Sequence, residues 1–331
     1  MMGRSVFRIL LAIALVVMTG CNLSSSQPLP VSSHTPNPTL QTLHPSPSQP
    51  PPQIDSTRLF QHIEALNFER YQASDRDRAR RYLVKTLTEF GWKPQLQAFE
   101  GGMNVFAQRP GTNANAGAIL VDAHYDTVNG SPGADDNGSA IATTLEIAHL
   151  LGSRPTQRPL WIAFFDREEA GLIGSLNFTA RPKNLANLAG VVNLEMMGYA
   201  CHTAGCQKYP EGLPVQPLGD RGDFLGVVGD QEHLSLLKAF QVPTSNPSVS
   251  NLPAVITVPI PFKGLLTPDV LRSDHAPFWA KNIGAVMVGD TANFRNPHYH
   301  QPSDTPETLD RVFFTGAAQR VVDAVSALLD E

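Results

Sequence analysis

The sequence predicts an α/β fold, in which a mostly parallel, twisted sheet is covered by helices on both faces to give three α/β/α layers. The first observation is a set of predominantly apolar runs without an alternation of apolar and polar residues: 117–124, 159–166, 190–196, 225–230 and 284–290. Strands of that kind are buried on both faces, whereas a half-exposed strand alternates apolar and polar residues. The second observation is that helical patterns separate these runs, which is typical of parallel strands joined by crossover helices.

The predicted elements alternate along the chain. The first helix begins with Ser74 as its N-cap and ends at Gly91, with apolar residues at helical spacing between them. A strand over 103–109 follows, ahead of the apolar runs. Further helices are predicted over 139–151, 172–180, 231–241 and 306–329. The 331 residues, of which 42% are apolar, suffice for one large core.

The N-terminus predicts export. Arg4 and Arg8 flank a short apolar run over 9–17, and small residues then lead to Cys21. This is the pattern of a secretory signal over residues 1–20, and the Cys resembles the bacterial lipoprotein cleavage box. We therefore expect a lipid anchor at Cys21 and a location in the bacterial cell envelope, periplasmic or on the outer surface. Plain secretion is the alternative.

A Pro- and Ser-rich stretch follows the predicted anchor. Residues 22–53 contain no charged residue, so we expect a disordered tether over 21–53. The folded domain is predicted over 54–331. The net charge of −5, without a basic stripe, argues against nucleic acid as a partner. Contact with a membrane is expected only through Cys21.

Two cysteines remain in the folded domain, Cys201 and Cys206. A close pair in an exported protein favours a disulfide. A zinc site formed with His202 is the alternative, although the spacing fits no closed pattern of four ligands.

Acids and histidines interrupt or follow the apolar runs in five motifs. These are VDAHYDT with His124 and Asp126, GADDNGSA with Asp136, FFDREEAGLIGS with Glu168 and Glu169, VVNLEMMGY with Glu195, and NPHYHQPSDT with His300. In open α/β sheets, ligands bind beyond the carboxyl ends of the strands, so the side chains should converge there. Imidazoles and carboxylates are the ligands that two zinc ions need, with one carboxylate left to act as a base.

Together the motifs give a resemblance to a known family. Over roughly 80–331 the chain resembles the di-zinc aminopeptidases of metallopeptidase family twenty-eight. The matching segments, in order, are H-x-D, D-N-G-S, E-E-x-G-L-x-G-S, N-L-(acid)-M-x-G and H-x-x-x-D-T. The resemblance identifies 54–331 as a zinc peptidase domain with two Zn²⁺ per chain. Manganese and cobalt remain open, since similar ligands bind all three metals.

The resemblance also implies a ligand set. His124 and Glu195 would bind the first zinc, Glu169 and His300 the second, and Asp136 would bridge both. Many family members carry Asp where this chain has Glu195. Two alternatives stay open: Asp135 competes with Asp136 for the bridge, and His298 competes with His300.

Three further roles follow from the resemblance. Glu168 would be the general base that takes a proton from a zinc-bridging water. Asp126 would orient the His124 imidazole from the second shell. Tyr299 would help to hold the oxyanion of the tetrahedral intermediate. Asp274 and His275 match a family segment that lines the cleft, and we expect them to be structural or to support the ligands from the second shell, outside the ligand set.

The resemblance implies hydrolysis of N-terminal residues from peptides with a free N-terminus. The first alternative is a single-zinc glutaminyl cyclase on the same fold. The second is a non-catalytic binding ectodomain, although such domains typically lose ligands and none is lost here. A carboxypeptidase or another amidohydrolase on this fold is also possible.

Overall fold

Eight strands and eight helices make up the computed structural model, which describes residues 51–113, 115–214, 219–242 and 252–331. The predicted signal peptide, the anchor at Cys21 and the tether up to residue 50 lie outside the described residues. The strands are β1 (Gln95–Phe99), β2 (Gly102–Arg109), β3 (Ala118–His124), β4 (Leu160–Phe165), β5 (Leu188–Glu195), β6 (Phe224–Asp230), β7 (Ala254–Ile260) and β8 (Ala285–Gly289). The helices are α1 (Ser56–Leu66), α2 (Ala73–Glu89), α3 (Ala140–Leu151), α4 (Ile173–Thr179), α5 (Pro182–Leu185), α6 (Leu234–Ala239), α7 (Ala276–Trp279) and α8 (Arg311–Leu329).

All eight strands belong to one sheet, in the order β1-β2-β4-β3-β5-β8-β6-β7. The pairs β4-β3, β3-β5, β5-β8 and β6-β7 are parallel, and the other three are antiparallel. The sheet is therefore mixed with a parallel centre. The helices connect the parallel strands by crossing over the sheet, as the alternating apolar runs predict.

Two apolar clusters lie on opposite faces of the sheet, as β3 shows. Ile119 and Val121 join the larger cluster, while Ala118 and Leu120 point into the smaller one. Helices α1, α2, α3, α6 and α8 contribute to the larger cluster, and α4 and α7 to the smaller. The predicted three-layer α/β/α fold is confirmed.

The C-terminal helix α8 is the one described helix that is long and apolar enough to span a membrane by length and composition. In its most apolar window, 72% is buried inside the protein. Its Asp310 N-cap accepts hydrogen bonds from the backbone N–H groups of Val312 and Phe313. The apolar character of α8 is thus that of a core helix.

Several predicted boundaries are wrong. Ser74 lies inside α2, which begins at Ala73 after Gln72 and has no side-chain cap. The long C-terminal helix begins at Arg311 rather than residue 306, because a separate short turn over Pro306–Thr308 precedes it. Strands β1 and β7 and helix α1 were not predicted, and β1 and β7 are the two edges of the sheet.

Candidate metal centre

Three neighbouring parallel strands deliver four of the predicted site residues to one edge of the sheet. His124 is the last residue of β3, and Glu195 is the last residue of β5. Glu168 and Glu169 lie in the turn after β4. Since β4, β3 and β5 are adjacent and parallel, their carboxyl ends meet, and motifs more than 70 residues apart come together.

Asp136 reaches the same place from the irregular turn Ala134–Ser139, which leads into α3 and has a cis peptide bond between Asp136 and Asn137. The side-chain amide of Asn137 makes two hydrogen bonds. Its Nδ2 group donates to the backbone carbonyl of Leu194 at 3.0 Å, and its Oδ1 atom accepts from the backbone N–H of Met196 at 2.9 Å. These contacts attach the Asp136 turn to the end of β5.

Asp304 holds the same turn from the other side. Its carboxylate accepts hydrogen bonds from the N–H groups of Asp135 at 2.8 Å and Asp136 at 3.0 Å. Asp304 is the acid of the H-x-x-x-D-T motif that begins at His300. The motif therefore has a structural basis, because its histidine points into the site while its acid fixes the loop that carries Asp136.

The first cluster of donor atoms surrounds the His124 imidazole. Its Nε2 atom lies 3.4 Å from Asp136 Oδ1, 3.6 Å from Glu195 Oε1 and 3.8 Å from Glu168 Oε2. His124 is fully buried, and Glu168 is 8% exposed. One imidazole nitrogen and three carboxylates thus face one another with little access to water.

The second cluster surrounds the His300 imidazole. Its Nε2 atom lies 3.1 Å from Asp136 Oδ2 and 3.0 Å from Glu169 Oε2. The two oxygens of Asp136 therefore face two different histidines, Oδ1 toward His124 and Oδ2 toward His300. This is the arrangement expected of a carboxylate that lies between two cations.

The donor atoms fit a metal. His124 Nε2, His300 Nε2, both carboxylate oxygens of Asp136 and Oε1 of Glu169 are buried and have no hydrogen-bond partner in the described part of the chain. Buried polar atoms are normally paired, and leaving several unpaired at one point is costly. Cations between them would satisfy all five atoms at once.

The charge balance also favours cations. Although burial alone lowers the pKa of the His300 imidazole, the nearby carboxylates of Asp136 and Glu169 raise it to about 10. Burial and the charge of Asp136 raise the pKa of Glu169 to about 7, against the opposing effect of His300. The site holds more negative charge than its histidines neutralise.

Asp135, the competing candidate for the bridge, is engaged elsewhere. Its Oδ1 atom accepts from the Ser139 hydroxyl and the Gly198 N–H, both at 2.8 Å. Its Oδ2 atom accepts from the Asn296 amide at 2.8 Å. A carboxylate has about four lone-pair sites, so three accepted hydrogen bonds leave too few to bridge two metals, and the geometry favours Asp136.

Asp126 supports the site mainly by accepting hydrogen bonds from the backbone of the neighbouring turn. Its carboxylate accepts from the N–H groups of Glu168 at 3.0 Å and Glu169 at 3.2 Å. Its carbonyl oxygen lies 3.2 Å from His124 Nδ1, and the carboxylate lies 3.5 Å from the same nitrogen. Asp126 thus positions both the imidazole and the two glutamates, a wider task than the sequence predicts.

Glu168 lies between the first cluster and the turn after β4. Burial raises the pKa of its carboxyl well above the usual range, and the negative charges of Glu195, Asp274 and Glu169 act in the same direction, against His124. A carboxyl in such surroundings holds a proton more readily than one in water. That property suits a group that takes up and returns a proton.

Tyr299 lies beside the second cluster. Its ring stacks on the His300 imidazole, with centroids 3.7 Å apart and planes inclined by 21°. Its hydroxyl accepts a hydrogen bond from Arg272 at 2.9 Å. The competing histidine, His298, is half-buried and pairs instead with the Ser303 hydroxyl at 2.9 Å.

The segment that begins at Arg272 contains residues that the sequence alone did not assign to the site. The Ser273 hydroxyl donates to Glu195 Oε2 at 2.6 Å and so holds the carboxylate of that ligand candidate. His275 is buried and contacts the Val270 carbonyl at 2.7 Å, which agrees with a structural role. In the sequence, only the position of Ser273 directly before Asp274 and His275 indicated that it lies near the site.

An apolar cavity of about 130 Å³ opens beside Glu195 and Tyr299. Most of its wall is apolar, from Leu213, Phe224, Val228, Ile256, Val258 and Met287. Gln207 and Lys208 also line it, directly after the disulfide that joins Cys201 to Cys206. The predicted disulfide is therefore present and borders the cavity. The alternative zinc site with His202 is wrong, since both sulfurs are bonded to each other.

Sequence comparisons agree with the site. The model for "Peptidase family M28" matches residues 104–215. YfbL of Escherichia coli K12 is 34% identical over 232 residues, which is 65% of this chain and 67% of YfbL. LpqL of Mycobacterium tuberculosis, a probable lipoprotein aminopeptidase, is 32% identical over 222 residues, 63% of this chain. The match covers only 42% of LpqL.

Solved structures share the fold. The LapA aminopeptidase of Legionella pneumophila superposes with a TM-score of 0.66 at 19% identity, covering 84% of this chain and 73% of LapA. A glutaminyl cyclase of Bacteroides thetaiotaomicron gives a TM-score of 0.58 at 16% identity, covering 83% of this chain and 99% of the cyclase. At such identities these structures establish the fold alone. The family model and the match to YfbL show that the chain belongs to peptidase family M28.

Proposed function

We propose that this protein is a co-catalytic di-zinc aminopeptidase. The observation that carries the proposal is the pair of donor clusters that share the Asp136 carboxylate. His124 and Glu195 would hold one zinc and Glu169 and His300 the other, with Asp136 between them. The membership in family M28 agrees with this enzyme class.

Bound zinc supplies Lewis-acid chemistry, because it polarises a carbonyl oxygen and lowers the pKa of water. Glu168 takes a proton from the attacking water and delivers it to the leaving amine. The Tyr299 hydroxyl, held by Arg272, faces the site as a donor for the developing oxyanion. Asp126 keeps Glu168 in place through its backbone N–H.

Recognition of the substrate follows from the two kinds of surface beside the clusters. The free α-amino group of a peptide is cationic at neutral pH, and Glu168 and Glu195 offer carboxylates to it. The apolar cavity next to Glu195 would receive the first side chain of the substrate. We therefore expect peptides that begin with an apolar residue to be preferred.

A glutaminyl cyclase with one zinc is the second candidate. A cyclase with this fold is known in Bacteroides thetaiotaomicron. The complete set of five ligand candidates favours two metals and hydrolysis. Zinc per chain and the product formed from a peptide with N-terminal glutamine, either free glutamine or the cyclised peptide, separate the two functions.

A lipid-anchored location in the cell envelope is also proposed. The signal pattern that ends at Cys21 supports it, and LpqL is itself named as a probable lipoprotein. Metabolic labelling with a palmitate analogue should modify the wild-type chain and leave a Cys21→Ala variant unlabelled.

The test of the enzyme uses aminoacyl chromogenic substrates with free and with acetylated amines. We expect about two zinc ions per chain, hydrolysis of the free-amine substrates and no hydrolysis of the blocked ones. Glu168→Gln should retain its zinc and lose at least about 100-fold in kcat, since general-base catalysis contributes that much. Near-normal turnover by this variant would refute the role of Glu168, and turnover of blocked substrates would refute aminopeptidase action.

A further inference from the structure

A second cavity lies on the other side of the metal centre from the apolar one. It has a volume of about 450 Å³ and lies between the segment that enters α2 and the turns after β3 and β4. Tyr71, Arg76, Asp126, Asn129, Arg167 and Glu169 are among the residues that line it. About half of its wall is polar, whereas the wall of the apolar cavity is mostly apolar, and we call it the polar cavity.

One charged side chain of this cavity has no bonded partner. Arg76 forms an ion pair with Asp166 at 2.8 Å. The Asp126 carboxylate is bound by the N–H groups of Glu168 and Glu169. The Arg167 guanidinium, in contrast, makes no hydrogen bond or ion pair with any described residue, although it is half-buried. Of the two arginines that line the cavity, Arg167 is thus the one whose guanidinium has no bonded partner among the described residues.

The backbone of Arg167 places its side chain beside the site. Its φ angle is 61°, in the left-handed region that non-glycine residues rarely adopt. Arg167 directly precedes Glu168, so the peptide unit that follows it belongs to the turn that carries both glutamates. The guanidinium passes over Gly101, whose missing side chain leaves the space.

The two cavities define the path of a bound peptide. The apolar cavity contacts Glu195, and the polar cavity contacts Glu169, which lie in different donor clusters. A peptide with its first side chain in the apolar cavity and its first carbonyl between the two donor clusters would continue past Glu169 into the polar cavity. The residues after the scissile bond then lie near Arg167.

We propose that the polar cavity binds a carboxylate of the peptide segment that follows the scissile bond, with Arg167 as the residue that determines this specificity. The inference rests on the proposed function. Two sources have the same chemistry, the C-terminal carboxylate of a short peptide and the side chain of an acidic second residue. Arg is suited to either, because its planar guanidinium binds carboxylates through paired hydrogen bonds.

The first measurement compares kcat/KM within two pairs of peptides. One pair is leucyl-glycyl-glycine and its C-terminal amide. The other is the amide of leucyl-glutamyl-glycine and the amide of leucyl-glutaminyl-glycine. We expect the wild-type enzyme to favour the carboxylate member of at least one pair by about 10-fold, as a charge-assisted hydrogen bond provides. The pair that shows the preference identifies the source, and ratios near one in both pairs would overturn the proposal.

The second measurement asks whether Arg167 causes the preference. Arg167→Gln should bring the ratio near one, and Arg167→Glu should bring it below one. Because each ratio is taken within one variant, a general loss of activity cancels. Arg78→Gln is the matched control, since Arg78 is exposed, stacks on Phe68 at 3.8 Å and does not line the cavity. An unchanged ratio in both Arg167 variants would contradict the assignment.

A binding experiment separates this inference from the proposed function. Calorimetry on the zinc-loaded Glu168→Gln variant compares, without turnover, the affinities for the carboxylate and the neutral member of each of the two peptide pairs. The carboxylate peptide should bind more tightly than its neutral partner, and adding Arg167→Gln should abolish this difference. That result supports carboxylate binding in the polar cavity, even if the wild-type protein hydrolyses no peptide. Equal affinity for the carboxylate and neutral members of both peptide pairs would refute it, even if hydrolysis is observed.

Discussion

Single residues in the candidate metal centre differ in how their polar atoms are used. The adjacent acids Asp135 and Asp136 show this most clearly. Asp135 accepts three hydrogen bonds and helps to hold the Gly198 backbone. Asp136 has two buried oxygens without a hydrogen-bond partner among the described residues. The two carboxylates are chemically identical, so only their surroundings distinguish a structural acid from a candidate ligand.

Replacing each acid by its amide tests that distinction. Asp136→Asn removes the charge and one oxygen between the two histidines, so we expect loss of at least one zinc per chain and at least about 100-fold in activity. Asp135→Asn should keep both zinc ions. It should lower the free energy of unfolding by about 1–3 kcal/mol, because the NH₂ group of the new side chain would face hydrogen-bond donors instead of accepting from them. Metal analysis and urea unfolding measure both effects. Zinc loss confined to Asp135→Asn would reverse the assignment.

At the scale of elements, the connection between α1 and α2 is tied to the site by Arg70. This side chain is fully buried, and its guanidinium donates to carbonyls of Leu66, Tyr125, Pro132 and Gly133. Burial lowers its pKa to about 10, while nearby acids oppose this effect. One side chain thus joins the helical connection to the turns that follow His124 and precede Asp136.

The start of α1 provides a second test at this scale. The Asp55 carboxylate accepts from the N–H groups of Thr57 at 2.8 Å and Arg58 at 3.2 Å, whereas Ser74 makes no cap for α2. Asp55→Ala should therefore lower the free energy of unfolding by about 1 kcal/mol. Ser74→Ala is the control and should change it by less than about 0.5 kcal/mol. Equal losses in urea unfolding would contradict the difference in capping.

The two strands that were not predicted share a common cause. Strand β1 lies at one edge of the sheet and is mostly exposed, and β7 lies at the other edge and contains Pro259. Edge strands need neither a continuous apolar run nor a complete set of backbone donors. The central strands β3, β4, β5 and β8 are covered on both faces, so their sequences carried the signal.

The whole molecule contains titratable groups that affect stability far from the metal centre. His62 is 5% exposed, and its Nδ1 atom lies 2.7 Å from the Tyr82 hydroxyl. Burial lowers the pKa of its imidazole from 6.5 to about 4, and the positive charges of Arg58 and His149 add to this effect. Glu146, 3.8 Å from Nε2, is itself paired with Arg58.

This shift predicts a loss of stability in mild acid. Between pH 6.5 and pH 4 the unfolded chain binds a proton at His62 that the folded protein does not, so stability falls as the pH falls through this window. From pH 7 to pH 5 the contribution is about 2 kcal/mol. In urea unfolding, the free energy of unfolding of His62→Gln should fall less between pH 7 and pH 5 than that of the wild type, by about that amount. The same pH dependence in variant and wild type would contradict the prediction.

On the scale of the whole molecule, two cavities of different polarity adjoin the candidate metal centre. The apolar cavity adjoins the β5 side of the centre, and the polar cavity adjoins the β4 side. The order of the strands in the sheet creates this asymmetry, because β4 and β5 lie on either side of β3. Under the proposed function, each cavity would bind a different part of one peptide.

The sequence by itself determined the type of protein. Continuous apolar runs identified the buried strands, and acids and histidines at the ends of those runs identified the donor atoms of the candidate metal centre. Both signals are local, since burial on two faces requires apolar residues in succession and a metal requires particular ligand types. The family resemblance then ordered these residues into roles.

Only the tertiary structure decided which of these atoms face one another. The choice of Asp136 over Asp135, the support of Glu195 by Ser273 and the unpaired charge of Arg167 depend on residues that are close in space and distant in sequence. The physical reason is that a hydrogen bond or an ion pair forms only between groups that lie within a few ångströms of each other. The sequence supplies the groups, and the packing of the strands sets the distances between them.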